Sequence, residues 1–264
     1  MIQSIDVNVA SAHPDIDDEL TVGQEMVLGF LVVCRKNMRG IRLLLIEDHA
    51  EQARILGRTL LIDCHLLLHL LRHNERLEEL RVAFELGCIR DQRNLIAELE
   101  EHYGSKKNDI EALKVRLNDH EAALRLEAKE LGVDENDLVE DMRLLMSAER
   151  LLKSSPQPES YAQFRFSSHA VHTSSLTLSM HKQIQADGSI HLTLGDRPES
   201  VLSVGLTSAQ LFLFGYRAAA ELLGWDTIET IREFFDYTKG ELEQLLGDTG
   251  IGGMEEFIGV PPTP

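Results

Sequence analysis

A chain of 264 residues, 43% hydrophobic and 27% charged, is large enough for one sizeable domain or two smaller ones and too apolar for global disorder. Its net charge of −18, with an acidic excess in most segments and only +2 over residues 35–93, argues against the clustered positive surface that nucleic-acid binding needs. Its three cysteines, Cys34, Cys64 and Cys88, are far apart and odd in number, which excludes a disulfide framework or a cysteine-rich zinc site.

No lysine or arginine precedes Arg35, so no secretory signal is expected at the start of the chain. Thr21 followed by Gln24 is a capping box, which predicts a helix from Val22. Val27, Leu31, Cys34, Met38, Ile41 and Leu45 continue it at alternating steps of four and three, as one buried face would. The longest apolar run, Met26 to Cys34, is too short to cross a bilayer and reads as part of that face. Leu43 to Ile46 then ends in two carboxylates, Glu47 and Asp48, as the first strand of a phosphoacceptor receiver domain does. The rest of such a domain is missing. Asp91 is not delivered by an apolar strand, no Lys-Pro occurs, and strands do not alternate with helices. Leu43–Ile46 is therefore expected to be buried helix with Glu47 and Asp48 at a bend or cap, and Asp48 with Glu51 is a second capping box.

From Ile55 to Leu80 leucines fall on most sides of a helix, with Arg54, Arg58, His65, Arg72 and Arg76 gathered on one polar strip. Asp91 is expected to cap a short helix ending near Tyr103, and Asn108 with Glu111 to cap the next. In that helix Ile110, Leu113, Leu117, Leu124, Ala128 and Leu131 form a stripe about 60° wide, narrow enough to pair with one or two helices as a local hairpin. Gly132 should stop it, and Asp134 should cap a further helix reaching Lys153.

Residues 154–160, SSPQPES, read as a linker between a helical domain, 1–153, and a smaller α+β domain, 161–264. Beyond it the apolar period changes to two. Leu176, Leu178 and Met180 alternate with polar residues, as do Ile190, Leu192 and Leu194. A three-residue loop with Gly188 in the left-handed region would pair Ile184 with Ile190 and keep both apolar sets on one face. Two helices should follow, one capped at Thr207 and ended by Gly224, the other capped at Asp226 and ended by Gly247. The expected fold is thus mainly α with a smaller α+β part, a short antiparallel sheet packed on two helices.

Four motifs carry chemistry if the fold assembles them. His65, His69 and His73 lie one turn apart, but the first and third are about 12 Å distant along a straight helix, too far to share a metal ion. His65 and His69 fall on the polar strip and are expected at the surface. His169, His172, His181 and His191 crowd the sheet region, and a metal or pH-sensitive site there is the main alternative to a binding protein. Residues 218–236 resemble the helix-turn-helix of DNA readers, with Ala220 and Gly224 spaced as that turn requires. The would-be recognition helix, however, carries Glu229, Glu233 and Asp236 against one Arg232, the wrong balance for phosphate contacts. GDTGIGG, from Gly247, follows a helix rather than a strand and lacks a lysine, so it reads as a glycine turn rather than a protease or phosphate loop.

These features favour a non-enzymatic, cytoplasmic protein-binding or regulatory module without a cofactor, one that acts as an inhibitor or nucleic-acid mimic. Residues 221–256 hold 10 acidic and 2 basic residues. With Ile228, Ile231, Phe235, Leu242 and Leu245 assigned to the buried side, Glu229, Glu233, Asp236, Glu241 and Glu243 are the expected partner-binding face. The partner would be a basic protein, or residues 35–93 of a second copy, which carry 11 basic and 9 acidic residues.

Overall fold

The computed structural model describes residues 20–47, 49–103, 107–157, 160–165, 182–184, 190–192 and 198–225. The elements below lie within one compact unit, Asp17–Gly224. Helix α1 (Val22–Ile46) begins with the expected capping box. The Thr21 hydroxyl accepts from the Gln24 amide at 3.2 Å, and the Gln24 side chain accepts from the Thr21 amide at 3.0 Å. Val27, Leu31, Cys34, Met38 and Ile41 are buried along one face, as their spacing requires. The run before Glu47 is helical, but it is not wholly buried as expected: Leu45 faces Gly205 of the helix Pro198–Leu222, while Leu43 and Ile46, on other sides of the helix, are exposed. Asp48 lies outside the described residues, and α2 (Ala50–Arg72) starts after His49 with no side-chain cap.

A single 3₁₀ turn, Asn74–Arg76, separates α2 from α3 (Leu77–Tyr103). Asp91 was expected to start a helix and instead lies inside α3. A capping residue type marks a helix start only where the chain stops being helical, and nothing between Arg90 and Arg93 interrupts the backbone ladder. The long helix α4 (Lys107–Glu130) returns along α3 as an antiparallel hairpin, with Leu117, Leu124 and Ala128 buried on the predicted stripe. Ion pairs lash the two helices. Arg81 meets Glu127, Arg93 meets Glu121, and Lys114 meets Glu100 at 2.6 Å. Gly132, at φ 78°, ends the hairpin as expected, since an L side chain there is strained.

Asp134 caps α5 (Glu135–Leu145) by accepting from the Asn136 amide at 2.8 Å. The helix expected to continue to Lys153 is broken at Met146, and Ser147 caps a second piece, α6 (Ala148–Lys153). α5 packs along α3, and α6 on α2. A further helix, α7, occupies 160–165. Its Phe164 joins Leu61 and Leu152 in a small core completed by Ile62, Ala148, Tyr161 and Leu211. Full burial of side chains of this size contributes about 1.5–3 kcal/mol each.

The last described helix, α8 (Pro198–Leu222), overturns the expected fold class. Instead of lying on a sheet, α8 packs in the groove between α1 and α2, and the protein is an all-helical fold rather than an α+β one. Gly57 faces Ser208 and Gly215 faces Cys64, so α8 runs parallel to α2. Two three-residue strands, β1 (Lys182–Ile184) and β2 (Ile190–Leu192), pair antiparallel with Ile184 opposite Ile190, the register the apolar pattern demands. They form a ribbon, not a sheet layer, because two strands of this length offer no face large enough to cover a helix pair. Period-2 patterning identified the pairing and was silent on its size. Gly188 lies outside the described residues. Thr207 was expected to cap the first C-terminal helix but lies inside α8, which begins at Pro198, the residue type suited to a first helical turn. Gly224, at φ 70°, ends α8 as predicted.

Candidate functional site

The partner face expected at Glu229, Glu233, Asp236, Glu241 and Glu243 lies outside the described residues, as do His169, His172, His181, the second helix of the 218–236 motif and the GDTGIGG turn. The polar chemistry that the described structure does assemble lies around α2.

Three consecutive residues of α2, Asp63, Cys64 and His65, point in three directions because each step turns about 100°. Asp63 faces α1, where the Asn37 side-chain amide donates to its carboxylate at 3.2 Å. Burial nonetheless dominates and pushes the Asp63 carboxyl up to about 6, with the Asn37 hydrogen bond opposing it. Cys64 points into the α1–α2–α8 junction, within hydrogen-bonding reach of Cys34 and against Gly215. Burial there, with Cys34 alongside, pushes the Cys64 thiol well above its ordinary range. A thiol in that setting is a packing group rather than a nucleophile.

His65 turns to the remaining side and is 1% exposed. This corrects the expectation of surface histidines: His65 and His69 are both buried. The His65 Nδ1 lies 2.9 Å from the Leu61 carbonyl oxygen. A carbonyl can only accept, so Nδ1 carries the proton and Nε2 holds a lone pair. That Nε2 is buried with no partner among the described residues. Burial lowers the His65 pKa, opposed by the Leu61 hydrogen bond and assisted by Arg72. Burial, then His73, Arg72 and Arg76, pushes His69 down to about 4. Both imidazoles are therefore neutral near pH 7. The His69 and His73 rings are 4.7 Å apart at 48°.

Seven residues, about two turns, before His65 lies Arg58, on the same side of α2. Its guanidinium carbon sits 4.2 Å from the centre of the Phe164 ring, and its Nε is buried without a hydrogen-bond partner among the described residues. Arg81, a fully buried arginine, is held by Glu78 at 3.6 Å, Glu85 at 3.2 Å and Glu127, and its position between α3 and α4 makes it a structural brace. Tyr216, next to Gly215 on α8, buries a hydroxyl without a partner among the described residues, and burial raises its pKa. Among the described residues no three His, Cys, Asp or Glu side chains converge as a metal site would require. Among them, too, no helix is long and apolar enough to cross a membrane.

The sequence carried a signal for this buried polar face. In LLIDCHLLLHLL the leucines surround the helix, so His65 and His69 cannot both be wet unless that side stays uncovered. The neighbouring Leu61 and Ile62 are covered by Leu152 of α6, Phe164 of α7 and Leu211 of α8, far away in the chain.

The fold and this face define an all-helical protein in which α1, α2 and α8 meet at a three-helix junction, and α3, packed on α1 and α5, pairs with α4 as an ion-paired hairpin. The chain belongs to a family of unknown function (DUF5677), whose model matches residues 24–189 and so ends before α8. No curated protein and no solved structure matches the chain.

Proposed function

We propose that the protein is a non-enzymatic binding module that presents helical surfaces to another protein. The observation that carries this reading is the α3–α4 hairpin. Its seam is filled by Ile96, Leu117 and Leu124, yet Leu95, Val115 and Leu126 remain 55 to 58% exposed. Apolar side chains placed this far outside a finished seam contribute little to the fold, and covering them with a partner would be favourable.

A second surface follows from charge. The acidic face at Glu229, Glu233, Asp236, Glu241 and Glu243 would steer a basic partner, or residues 35–93 of a second copy, into contact. Residues 98–153, which include α4, also carry an acidic excess, 15 acidic against 9 basic, so both surfaces favour the same charge of partner. An inhibitor or nucleic-acid mimic is the regulatory form this takes. The rival readings, a histidine-based metalloprotein or enzyme and a DNA regulator through 218–236, have less behind them. The neutral, buried His65 and His69 are not joined by the further ligands a metal needs among the described residues.

Affinity purification from the native source tests this with three baits: wild type, Leu95→Glu with Val115→Glu, and Glu229→Lys with Glu233→Lys and Asp236→Lys. A partner held by wild type and lost or slowed with either variant supports the module. Equal capture of the same proteins by all three baits sinks it.

A further inference from the structure

The inner face of α4 is complete. Leu117, Leu124 and Ala128 are buried, and Lys114, Glu121 and Glu127 are paired with Glu100, Arg93 and Arg81 of α3. The opposite face repeats the pattern of a helix seam with no helix on it. Ala112, Val115, Asp119, Ala122, Leu126 and Lys129 follow at alternating steps of three and four, and all are exposed, Val115 at 56% and Leu126 at 58%. A repeat of 3.5 keeps these residues on one line for about 30 Å, from Glu111 to Glu130. An exposed side of a helix gains nothing for its own fold from such a period.

The charges of this stripe differ from those around it. The acidic excess of residues 98–153 does not extend to it: on the stripe and its two edges Glu111, Asp119 and Glu130 are balanced by Arg116, Arg125 and Lys129. A basic partner would find no net charge to steer it here. Glu111 and Arg125 have partners within the chain, Lys114 at 3.5 Å for the first, Glu121 at 2.9 Å and Glu135 at 2.8 Å for the second. Arg116, Asp119, Lys129 and Glu130 have none among the described residues. Arg116 and Glu130 lie along the same edge but fourteen residues apart, about 21 Å, so they cannot meet within one helix.

We propose that the outer stripe of α4 pairs with the same stripe of a second copy of this chain, antiparallel across a two-fold axis, with Val115 of each copy opposite Leu126 of the other. The direction follows from the charges within the stripe. A parallel pair in register would set Asp119 against Asp119 and Lys129 against Lys129. The antiparallel pair places Asp119 level with Ala122 and Lys129 level with Ala112, where the long lysine stem reaches past a small side chain to water. It also brings Arg116 of one copy to the same edge as Glu130 of the other, about 7 Å away along the axis and within reach of two long side chains. Glu111 and Arg125 meet in the same way along the other edge. A stripe one helix wide buries less than the roughly 800 Å² per partner of a standard interface, so the dimer is weak and reversible. The inference rests on the reading of the hairpin as a binding surface and names the occupant of its α4 side.

Sedimentation equilibrium of the purified full chain should show a monomer–dimer equilibrium with a Kd of roughly 10–100 µM. Leu126→Glu should leave the chain monomeric with its helical circular dichroism unchanged, since Leu126 is exposed in the single copy. Arg116→Glu and Glu130→Arg should each weaken the dimer about tenfold, because two symmetry-related contacts turn from attraction to repulsion. The double variant should return to wild-type affinity. A wild-type chain that stays monomeric at about 500 µM, well above that range, overturns the proposal. So does a dimer that Leu126→Glu leaves intact. A double variant weaker than either single variant overturns it too, because in a parallel pair Arg116 would face Glu111, and Glu130 would face Arg125. These measurements contain no other protein, so the two readings fail separately. A monomer removes the dimer alone, whereas equal capture by the three affinity baits removes the binding module.

Discussion

The α2–α8 contact at Gly215 makes a quantitative prediction. A Cβ added at Gly215 would lie 2.6 Å from the Cys64 sulfur, 3.2 Å from its Cβ and 3.4 Å from its Cα. The sulfur cannot swing away freely, because Cys64 is fully buried against Cys34. Either α8 or the thiol must shift by roughly 1 Å in a close-packed interior. Overpacking of this kind costs about 1–3 kcal/mol, while alanine in place of a helical glycine returns about 0.5–1 kcal/mol. Gly215→Ala should therefore destabilise the protein by about 1–2 kcal/mol, a fall in Tm of about 2–8 °C at this chain length. The decisive measurement is a double-mutant cycle by urea denaturation. Removing the sulfur with Cys64→Ala should cost about 1 kcal/mol alone but relieve the clash, so the double variant should be no less stable than Cys64→Ala. If the two substitutions add independently, or if Gly215→Ala stabilises the protein, α8 does not sit against α2 as described and the packing argument fails.

Three further outcomes are expected. The Asp63 carboxyl has a folded pKa of about 6 against an ordinary 3.8, so its proton favours the fold fully below about pH 4 and this contribution is lost as pH rises through 6. Asp63→Asn, which keeps an acceptor for Asn37, should raise the urea midpoint at pH 7.5 by the equivalent of about 2 kcal/mol, and the gain should vanish at pH 4; equal gains at both pH values would remove burial as the cause. Arg81→Met should cost about 2 kcal/mol by leaving Glu78, Glu85 and Glu127 facing one another without their shared cation, and an unchanged thermal midpoint would show the brace to be idle. Proteolysis in the 154–160 segment should leave two fragments that co-elute under native conditions, because α8 stays seated on α1 and α2; native separation of the fragments would contradict that seating.

Local chemistry made much of the helical framework legible in advance. The Thr21 capping box, the Asp134 cap and the glycine stops at Gly132 and Gly224 depend on neighbours within a few residues, and they form where the residue types say they should. The buried stripe of α1, the middle of that of α4 at Leu117, Leu124 and Ala128 (Leu113 and Leu131 are exposed), and the Ile184–Ile190 register were equally readable, since a repeat of 3.6 or 2 is a property of the strip of chain itself. What only the tertiary structure decided is which faces become covered, and by what. Asp91 and Thr207 had the residue types of caps but fall inside longer helices, because a neighbouring surface rewards continuing the helix more than the cap rewards ending it. His65 and His69 lay on the polar strip of α2, yet both are buried in the folded chain, and the adjoining Leu61 and Ile62 are covered by residues that return from far along the chain, Leu152, Phe164 and Leu211. The α+β expectation failed for the same reason. A two-residue period announces strand pairing, but whether a ribbon grows into a sheet, and whether the helix after it packs there or returns to the first hairpin, depends on surfaces that exist only once the distant helices have met.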